Sequence, residues 1–131
     1  MIDLCKLIAL AAFSLACAAC TPVLAERSFP PGLVVRIAEL EIDPAQLDSY
    51  KAAVREEMAD AVRLEPGVIA IYAVAERDAP ARLRFFEIYA SEAAYRSHIE
   101  SPHFGKYVEV TKPMIRSRKL IETVPVQLSA K

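Results

Sequence analysis

The hydrophobic positions of this chain change their spacing several times after residue 32, from the alternation of a strand to the period of a helix. Leu33 to Ile42 is rich in β-branched and aliphatic residues and predicts a first strand. Residues 47–64 carry an apolar stripe at helical spacing and predict an amphipathic helix. The stripe consists of Leu47, Tyr50, Val54, Met58, Ala61 and Leu64.

Residues with special backbone preferences mark where this helix begins and ends. Asp43 is suited to cap the first turn and Pro44 to occupy the first position. Gln46 is placed to reach back to the cap, as in a capping box. Pro66 and Gly67 end the helix, because neither residue suits a helix interior.

Two further runs of β-branched and aromatic residues predict a hairpin. The strands are expected over Val68 to Ala75 and Leu83 to Ala90, with a turn over residues 76–81. Their short separation favours antiparallel pairing.

Two short helices and a last strand complete the pattern. Ser91 is suited to cap the first helix, and Ser101 to cap the second, which starts at Pro102 and runs to about Lys112. Lys119 to Leu128 predicts the last strand, with one face made of Leu120, Glu122, Val124 and Val126.

The order β-α-β-β-α-β predicts an α+β fold of the ferredoxin-like plan, with helices on one face of a four-stranded antiparallel sheet. Phe85, Glu87 and Tyr89 alternate on one side of the third strand. We expect Phe85 and Tyr89 to lie on the sheet face that the helices leave open. Apolar side chains on an open face favour a partner sheet, so we expect a homodimer.

Composition and charge set limits on size and partners. A chain of 131 residues with 54% apolar and 25% charged residues is typical of one globular domain. A net charge of -1 gives no electrostatic support for binding nucleic acid or an anionic membrane. The sequence also lacks a glycine-rich phosphate loop, so nucleotide binding has no support.

The N-terminus predicts export. Lys6 precedes an apolar run over Leu7 to Ala19, which is too short for a typical membrane-spanning helix. The small residues up to Ala25 suit a signal peptidase, so residues 1–25 are expected to be a signal peptide cleaved after Ala25. We therefore expect a periplasmic or secreted protein without a membrane anchor. Its parts are a linker over residues 26–32 and one domain over residues 33–128.

The positions of the three cysteines limit the chemistry of the predicted mature chain. Cys5, Cys17 and Cys20 all precede the predicted cut, so the mature chain would have no disulfide, thiolate nucleophile or cysteine metal site. Cys17 and Cys20 leave a lipoprotein signal as a weaker alternative, because small residues precede both.

Candidate chemistry is concentrated on the third predicted strand and the two helices after it. Glu87 either serves as a base in a pocket or pairs with Arg84 or Arg36 at an interface. His98 and His103 flank the joint between the helices, where they either carry protons near neutral pH or pack the joint. Two histidines five residues apart, with no cluster of carboxylates near them in sequence, argue against a metal site.

Several short motifs occur in a fixed order along this predicted fold. They are Glu65-Pro66-Gly67, Phe86-Glu87-Ile88-Tyr89, Ala94, His98 and Ser101-Pro102-His103-Phe104. With them, the chain from Leu33 to Val126 resembles the antibiotic biosynthesis monooxygenase (ABM) superfamily of dimeric α+β barrel proteins. Within that superfamily it is similar to small quinol monooxygenases and to the isomerase of a phosphorylated autoinducer-2 signal.

The resemblance implies oxidation of a small quinol or aromatic compound by molecular oxygen, without flavin, haem or metal. A deprotonated quinol can itself pass an electron to oxygen, so the protein needs a base, a donor for the anion and a dry aromatic pocket. For this implied chemistry the chain offers three candidate catalytic residues, with Glu87 or His98 as the base and His103 as a base or hydrogen-bond donor. It also offers a candidate substrate-binding lining of Phe85, Tyr89, Tyr95 and Phe104. The absence of tryptophan argues against haem degradation.

Two other functions stay open. The first is isomerisation of a small phosphorylated carbonyl compound, in which Glu87, His98 or His103 would move a proton. Predicted export argues against it, because such a compound would be cytoplasmic. The second is a non-catalytic dimer that binds a small apolar ligand, since fold does not fix function.

Overall fold

The computed structural model describes residues 31–129 of the chain. The predicted signal peptide over residues 1–25, its cleavage site and most of the predicted linker lie outside the described residues. Within that range, no helix combines the length and the apolar character that a membrane crossing requires.

The elements follow one another in the order that the sequence predicts, and the α+β, ferredoxin-like fold is confirmed. They are β1 (Val34–Ile42), α1 (Leu47–Leu64), β2 (Val68–Ala75), β3 (Arg82–Tyr89), α2 (Glu92–Ile99), α3 (Pro102–Thr111) and β4 (Ile115–Thr123). The four strands form one sheet in the order β2-β3-β1-β4, and all three pairings are antiparallel. The two central strands are therefore β3 and β1.

The core lies between the helices and one face of the sheet. Phe85 of β3 packs in one cluster with Tyr50 and Val54 of α1, and Tyr89 packs in a second cluster with Ala61. Burying one large apolar side chain stabilises a fold by roughly 1.5–3 kcal/mol. Helix α1 therefore contributes to both clusters and fixes the distance between helices and sheet.

The expectation that Phe85 and Tyr89 face away from the helices is wrong. Phe85 is 6% exposed and Tyr89 is 0% exposed, and both lie under the helices. Alternation separates the side chains of a strand into two sets, but it does not say which set the helices cover. The set that faces away from the helices contains Phe86.

A row of apolar side chains crosses the face of the sheet opposite the helices. Phe86 lies opposite Tyr72 of β2 and Ile37 of β1, and Ile37 lies opposite Ile121 of β4. Tyr72 is 60% exposed, and its neighbour on the same face, Val74, is 61% exposed. This row spans the full width of the sheet.

The start of α1 differs in detail from the prediction. Asp43 accepts a hydrogen bond from the backbone N–H of Ala45 at 3.0 Å, as a cap should. One short 3-10 turn, Pro44–Gln46, follows before α1 begins. The predicted capping box is wrong, because the Gln46 side-chain amide donates to the backbone carbonyl of Pro113 at 3.3 Å instead.

The starts of α2 and α3 agree with the prediction. Ser91 Oγ accepts from the backbone N–H of Ala94 at 3.1 Å, and Ser101 Oγ accepts from that of Phe104 at 3.3 Å. Pro102 occupies the first turn of α3. The two helices thus meet at a sharp joint.

The last strand lies earlier in the chain than predicted. It covers Ile115–Thr123 rather than residues 119–128, and Val124 and Val126 are exposed beyond its end. Thr123 pairs with Val35, next to the first residue of β1, so later residues have no pairing partner on that strand. Pro125 also lacks the backbone N–H that a ladder needs.

Gly67 brings α2 close to the corner between α1 and β2. A Cβ atom at this position would lie 2.5 Å from the Cβ of Ala94, and the Gly67 carbonyl accepts from the backbone N–H of Ala90 at 2.8 Å. Only glycine permits this approach without a shift of α2. The approach places Glu65, two residues earlier, beside the side chains of α2.

Candidate active site

One carboxylate joins both histidines of the chain. Glu65 Oε1 lies 2.8 Å from His98 Nδ1 and 2.6 Å from His103 Nε2. Because an ionised carboxylate only accepts, both ring nitrogens must donate to it. In neutral His98 the proton is then on Nδ1, which leaves the lone pair of Nε2 free to accept a proton.

Two aromatic rings hold the His98 imidazole in place. The centroid of its ring lies 4.8 Å from that of Phe104 and 5.3 Å from that of Tyr89. The side chain is 3% exposed. Packing and the bond to Glu65 together fix the direction in which Nε2 points.

Glu57 faces His98 from α1. Its Oε1 lies 3.6 Å from His98 Nε2, and the side chain is 9% exposed. Among residues 31–129 this oxygen has no hydrogen-bond partner. Burial, followed by the negative charges of Glu87 and Glu65, raises the pKa of Glu57 to about 7. Glu57 therefore carries a proton for much of the time at neutral pH.

Glu87 is a second buried carboxyl group near His98. The hydroxyl of Tyr89 donates to Glu87 Oε2 at 3.0 Å. Burial raises the pKa of Glu87 above its usual range, although the bond from Tyr89 and the charge of His98 oppose that shift. Burial and the neighbouring Glu87 also raise the pKa of Tyr89, which keeps its hydroxyl protonated.

A small cavity of about 60 Å³, partly open to solvent, lies between the sheet and the helices. Its polar lining residues are Glu57, Glu87, His98 and Arg118. Its aromatic lining residues are Phe85, Phe104 and Tyr107. A cavity with apolar walls and a few convergent polar groups is the usual form of a small-ligand site.

Tyr107, which is partly buried, is held by the fully buried Tyr50. The hydroxyl oxygens of Tyr107 and Tyr50 lie 2.7 Å apart. Burial is the main reason that the pKa of each phenol is raised, so both remain protonated donors. These two tyrosines therefore add no charge where α1 and α3 meet the cavity.

The family described as antibiotic biosynthesis monooxygenase matches residues 33–110. The chain belongs to this family. No curated protein matches it.

Solved structures agree with this ABM assignment. A Bacteroides thetaiotaomicron protein provisionally named an antibiotic biosynthesis monooxygenase is 45% identical, with 76% of this chain and 95% of that chain covered and a TM-score of 0.73. A Lactobacillus acidophilus protein provisionally named a monooxygenase is 30% identical over 72% of this chain and 45% of that one, with a TM-score of 0.71. A Nitrosomonas europaea protein at 19% identity, with 79% and 99% covered and a TM-score of 0.70, shows the same fold.

The structure places four of the predicted site residues of this ABM domain in one cavity. Glu87, His98, Phe85 and Phe104 all line it. His103 does not line this cavity but a separate groove between α1 and α3, where its ring contacts Glu65. It therefore touches His98 through the shared carboxylate rather than through the cavity.

The other two predicted lining residues lie beside the cavity rather than in its wall. Tyr89 is fully buried and reaches the site through its bond to Glu87 and its packing against the ring of His98. Tyr95 packs edge-on against Tyr89 at 5.2 Å, and the Arg36 guanidinium lies 4.8 Å from the centre of its ring. Both support the position of Glu87.

Within this chain, neither arginine considered as a partner of Glu87 bonds to it. Arg84 pairs with Glu76 at 2.8 Å, and Arg36 pairs with Glu92 at 3.3 Å. Glu87 instead accepts from Tyr89 within its own strand. This leaves its carboxyl group available to the cavity.

Sequence reasoning missed Glu57 and Glu65 as site residues. Glu57 lies on the apolar side of α1, three residues after Val54 and four before Ala61, and a carboxylate on that stripe was the available signal. Glu65 appeared only as part of a motif. No local pattern indicated that it contacts His98, 33 residues later.

The protonation of Glu57 gives a pH prediction. Its pKa is about 7 in the folded chain, above the ordinary 4.5, so the folded state binds more protons between these values. We expect the free energy of unfolding to fall by about 1–3 kcal/mol as pH rises through this window. Glu57→Gln should remove that loss and be the more stable protein at pH 8.

The measurement is chemical denaturation from pH 4.5 to pH 8 in the presence of EDTA, so that bound ions make no contribution. Glu109→Gln, at an exposed position of α3, should keep the wild-type pH dependence. Parallel stability curves for wild type and Glu57→Gln would contradict the placement of a buried, partly protonated Glu57.

Proposed function

We propose that this ABM protein is a monooxygenase that oxidises a small quinol or electron-rich aromatic compound with molecular oxygen and no bound cofactor. The observation that best supports the proposal is the orientation of His98. Its Nδ1 is tied to Glu65, and the ring lines an aromatic cavity with Nε2 available as a base.

The proposed reaction begins with the transfer of a quinol hydroxyl proton to His98 Nε2. The resulting anion is electron-rich enough to pass one electron to oxygen. The substrate radical and the superoxide formed in this way then combine, which makes a carbon–oxygen bond to the ring. One oxygen atom stays in the product, which is a hydroxyquinone, and the other leaves as water. The quinol supplies the electrons, so hydroquinone and oxygen give hydroxyquinone and water in balance.

The two carboxyl groups of the cavity are suited to stabilise the anions of this reaction. Glu57 and Glu87 both have raised pKa values, because the cavity removes water from them. A protonated carboxyl group can donate a hydrogen bond to a quinolate or peroxide oxygen. Glu65, in contrast, acts through His98 and is a positioning residue.

We also propose that the protein works as a homodimer joined through the open sheet face. The apolar row on this face supports the arrangement, and it consists of Tyr72, Phe86, Ile37 and Ile121. Tyr72 is 60% exposed in the single chain, so a partner sheet has apolar surface to cover. Such a dimer leaves the cavity on the helix side of each sheet. It would bury apolar surface that a monomer leaves in water.

Export is the third part of the proposal and rests on the sequence of residues 1–25. N-terminal sequencing of protein recovered outside the cytoplasm tests it. A mature chain that begins at Glu26 is expected, and a chain retained in the cytoplasm with its leader intact would contradict export.

Isomerisation of a phosphorylated carbonyl compound is the second candidate. The observation in its favour is that Glu57, Glu87 and His98 line the same cavity, which gives several groups able to move protons. Arg118 also lines the cavity, as a cation that could meet a phosphate. Turnover that requires the phosphate group and consumes no oxygen would favour this candidate.

The main prediction concerns oxygen uptake. The chain from Glu26 to Lys131, given hydroquinones and polyphenols, should consume oxygen faster than the spontaneous reaction. His98→Gln should lower the enzymatic rate by about 10²–10⁴-fold, the usual contribution of a general base. An oxygen electrode measures both rates.

His103→Gln is the matched comparison, because it removes the other histidine that Glu65 contacts. His103 lies outside the cavity, so this change should lower the rate by no more than about tenfold. Folded protein without uptake above background would contradict the oxygenase proposal and favour a ligand-binding role. Equal losses in the two variants would contradict the assignment of His98 as the base.

The dimer gives a separate prediction. Tyr72→Glu places a charge at the exposed end of the apolar row and should weaken self-association by at least about 100-fold. Val62→Glu introduces the same charge on α1, where Val62 is 55% exposed, and should leave the dimer intact. Analytical ultracentrifugation would contradict the proposal if wild type is monomeric or if Tyr72→Glu associates as Val62→Glu does.

A further inference from the structure

Three potential metal ligands converge from three helices of this domain. Glu57 of α1, His98 of α2 and His103 of α3 each offer one ligand atom, and these atoms lie within 4.8 Å of one another. We propose that they form a site for a divalent transition-metal ion, with Zn²⁺ as the best match. Two imidazoles and one carboxylate are a ligand set that Zn²⁺ takes in proteins, with a fourth position left open.

The spacing of the first two ligands suits a shared ion better than a direct bond. Glu57 Oε1 and His98 Nε2 are 3.6 Å apart, which is beyond a good hydrogen bond. Two atoms bound tetrahedrally to one Zn²⁺ at about 2.0–2.2 Å lie about 3.4 Å from each other. Only a small movement of either side chain would complete this pair of bonds.

The state of Glu57 is the independent observation that points to a ligand. Its side chain is 9% exposed, its Oε1 has no hydrogen-bond partner among residues 31–129, and it faces His98. Buried polar atoms are normally satisfied, so an orphaned carboxyl oxygen requires an explanation. A cation bound at this oxygen would satisfy it and offset the nearby negative charges.

Glu65 supplies the support that metal-binding histidines usually have. Its carboxylate holds His98 Nδ1 at 2.8 Å, so the opposite nitrogen, Nε2, is directed toward Glu57. A histidine that binds a metal commonly donates its other N–H to a carboxylate in this manner. The same carboxylate also holds the ring of His103.

A groove between α1 and α3 gives an ion access to the cluster. Glu57 and His103 both line this groove. Glu56 and Asp60 also line it and add negative charge, while the ammonium group of Lys106 is bonded to Glu56. A cation can therefore reach Glu57 and His103 from this groove without passing through the aromatic cavity.

The ion and a substrate proton would compete for the same atom. His98 Nε2 cannot act as a free base while it binds a metal, so the metal-loaded protein would be inhibited rather than activated in the proposed oxidation. The existence of the site does not rest on that oxidation, because binding is measured without substrate.

The test is equilibrium binding of Zn²⁺ by tag-free protein from Glu26 to Lys131, which contains no cysteine. The Bacteroides structure, 95% of which this domain covers, indicates that a chain of this extent folds alone. We expect one equivalent of Zn²⁺ per chain, and visible absorption bands of tetrahedral coordination when Co²⁺ replaces it.

Glu57→Gln and His103→Gln should each weaken Zn²⁺ binding by at least about 100-fold. Glu65→Gln, which only disturbs ligand orientation, should weaken it by about 10–100-fold. Glu109→Gln removes an equal charge from an exposed position of α3 and should change affinity less than about threefold. Far-UV circular dichroism confirms that each variant is folded.

Wild-type protein that binds no stoichiometric Zn²⁺, or that holds Co²⁺ only in octahedral form, would overturn the proposal. The same conclusion would follow if Glu57→Gln bound Zn²⁺ as tightly as Glu109→Gln. These results would leave the oxidation proposal intact, since oxygen uptake is a separate measurement.

Discussion

The carboxylate of Glu65 is the interaction on which the rest of the site depends. It follows the last residue of α1, and its Oε1 contacts His98 of α2 and His103 of α3. One acceptor thus joins three helices at the corner where Gly67 permits α2 to approach. Without it, both imidazoles would lose a charge-assisted bond in a nearly dry environment and could rotate.

Burial and neighbouring carboxylates together decide the protonation of Glu57 in the cavity. Burial is the larger cause, and the negative charges of Glu87 and Glu65 add to it, because carboxylates that share a small volume resist being ionised together. Glu65 is bonded to two donors, whereas Glu57 Oε1 has none among residues 31–129. Glu57, whose pKa is raised to about 7, therefore holds a proton for much of the time near neutral pH. The cavity thus brings the His98 imidazole together with two carboxyl groups of raised pKa, Glu57 and Glu87.

Much of the fold was predictable because local patterns and the global plan agree. The β-branched run of β1, the apolar stripe of α1 and the serine caps of α2 and α3 each specify one element. The end of β4 was not predictable from its own residues, because the length of the partner strand β1 decides it. The face of Phe85 and Tyr89 was likewise decided by where α1 packs.

The site was predictable only where its residues are neighbours in sequence. Glu87, His98 and Phe104 fall within one short stretch, and their chemistry made them candidates. Glu57 and Glu65 come from the far end of α1, and only packing brings them to the histidines. The same packing removes the sequence argument against a metal site, which depended on the lack of nearby carboxylates.

The most direct test of this account is the tautomeric state of His98, measured by nitrogen-15 NMR on the metal-free protein. The chain has only two histidines, so assignment requires a single variant. At a pH where His98 is neutral, we predict a proton on Nδ1, bonded to Glu65, and a free lone pair on Nε2. A proton on Nε2 would contradict the account, because His98 could then neither take a substrate proton nor bind a metal at that atom.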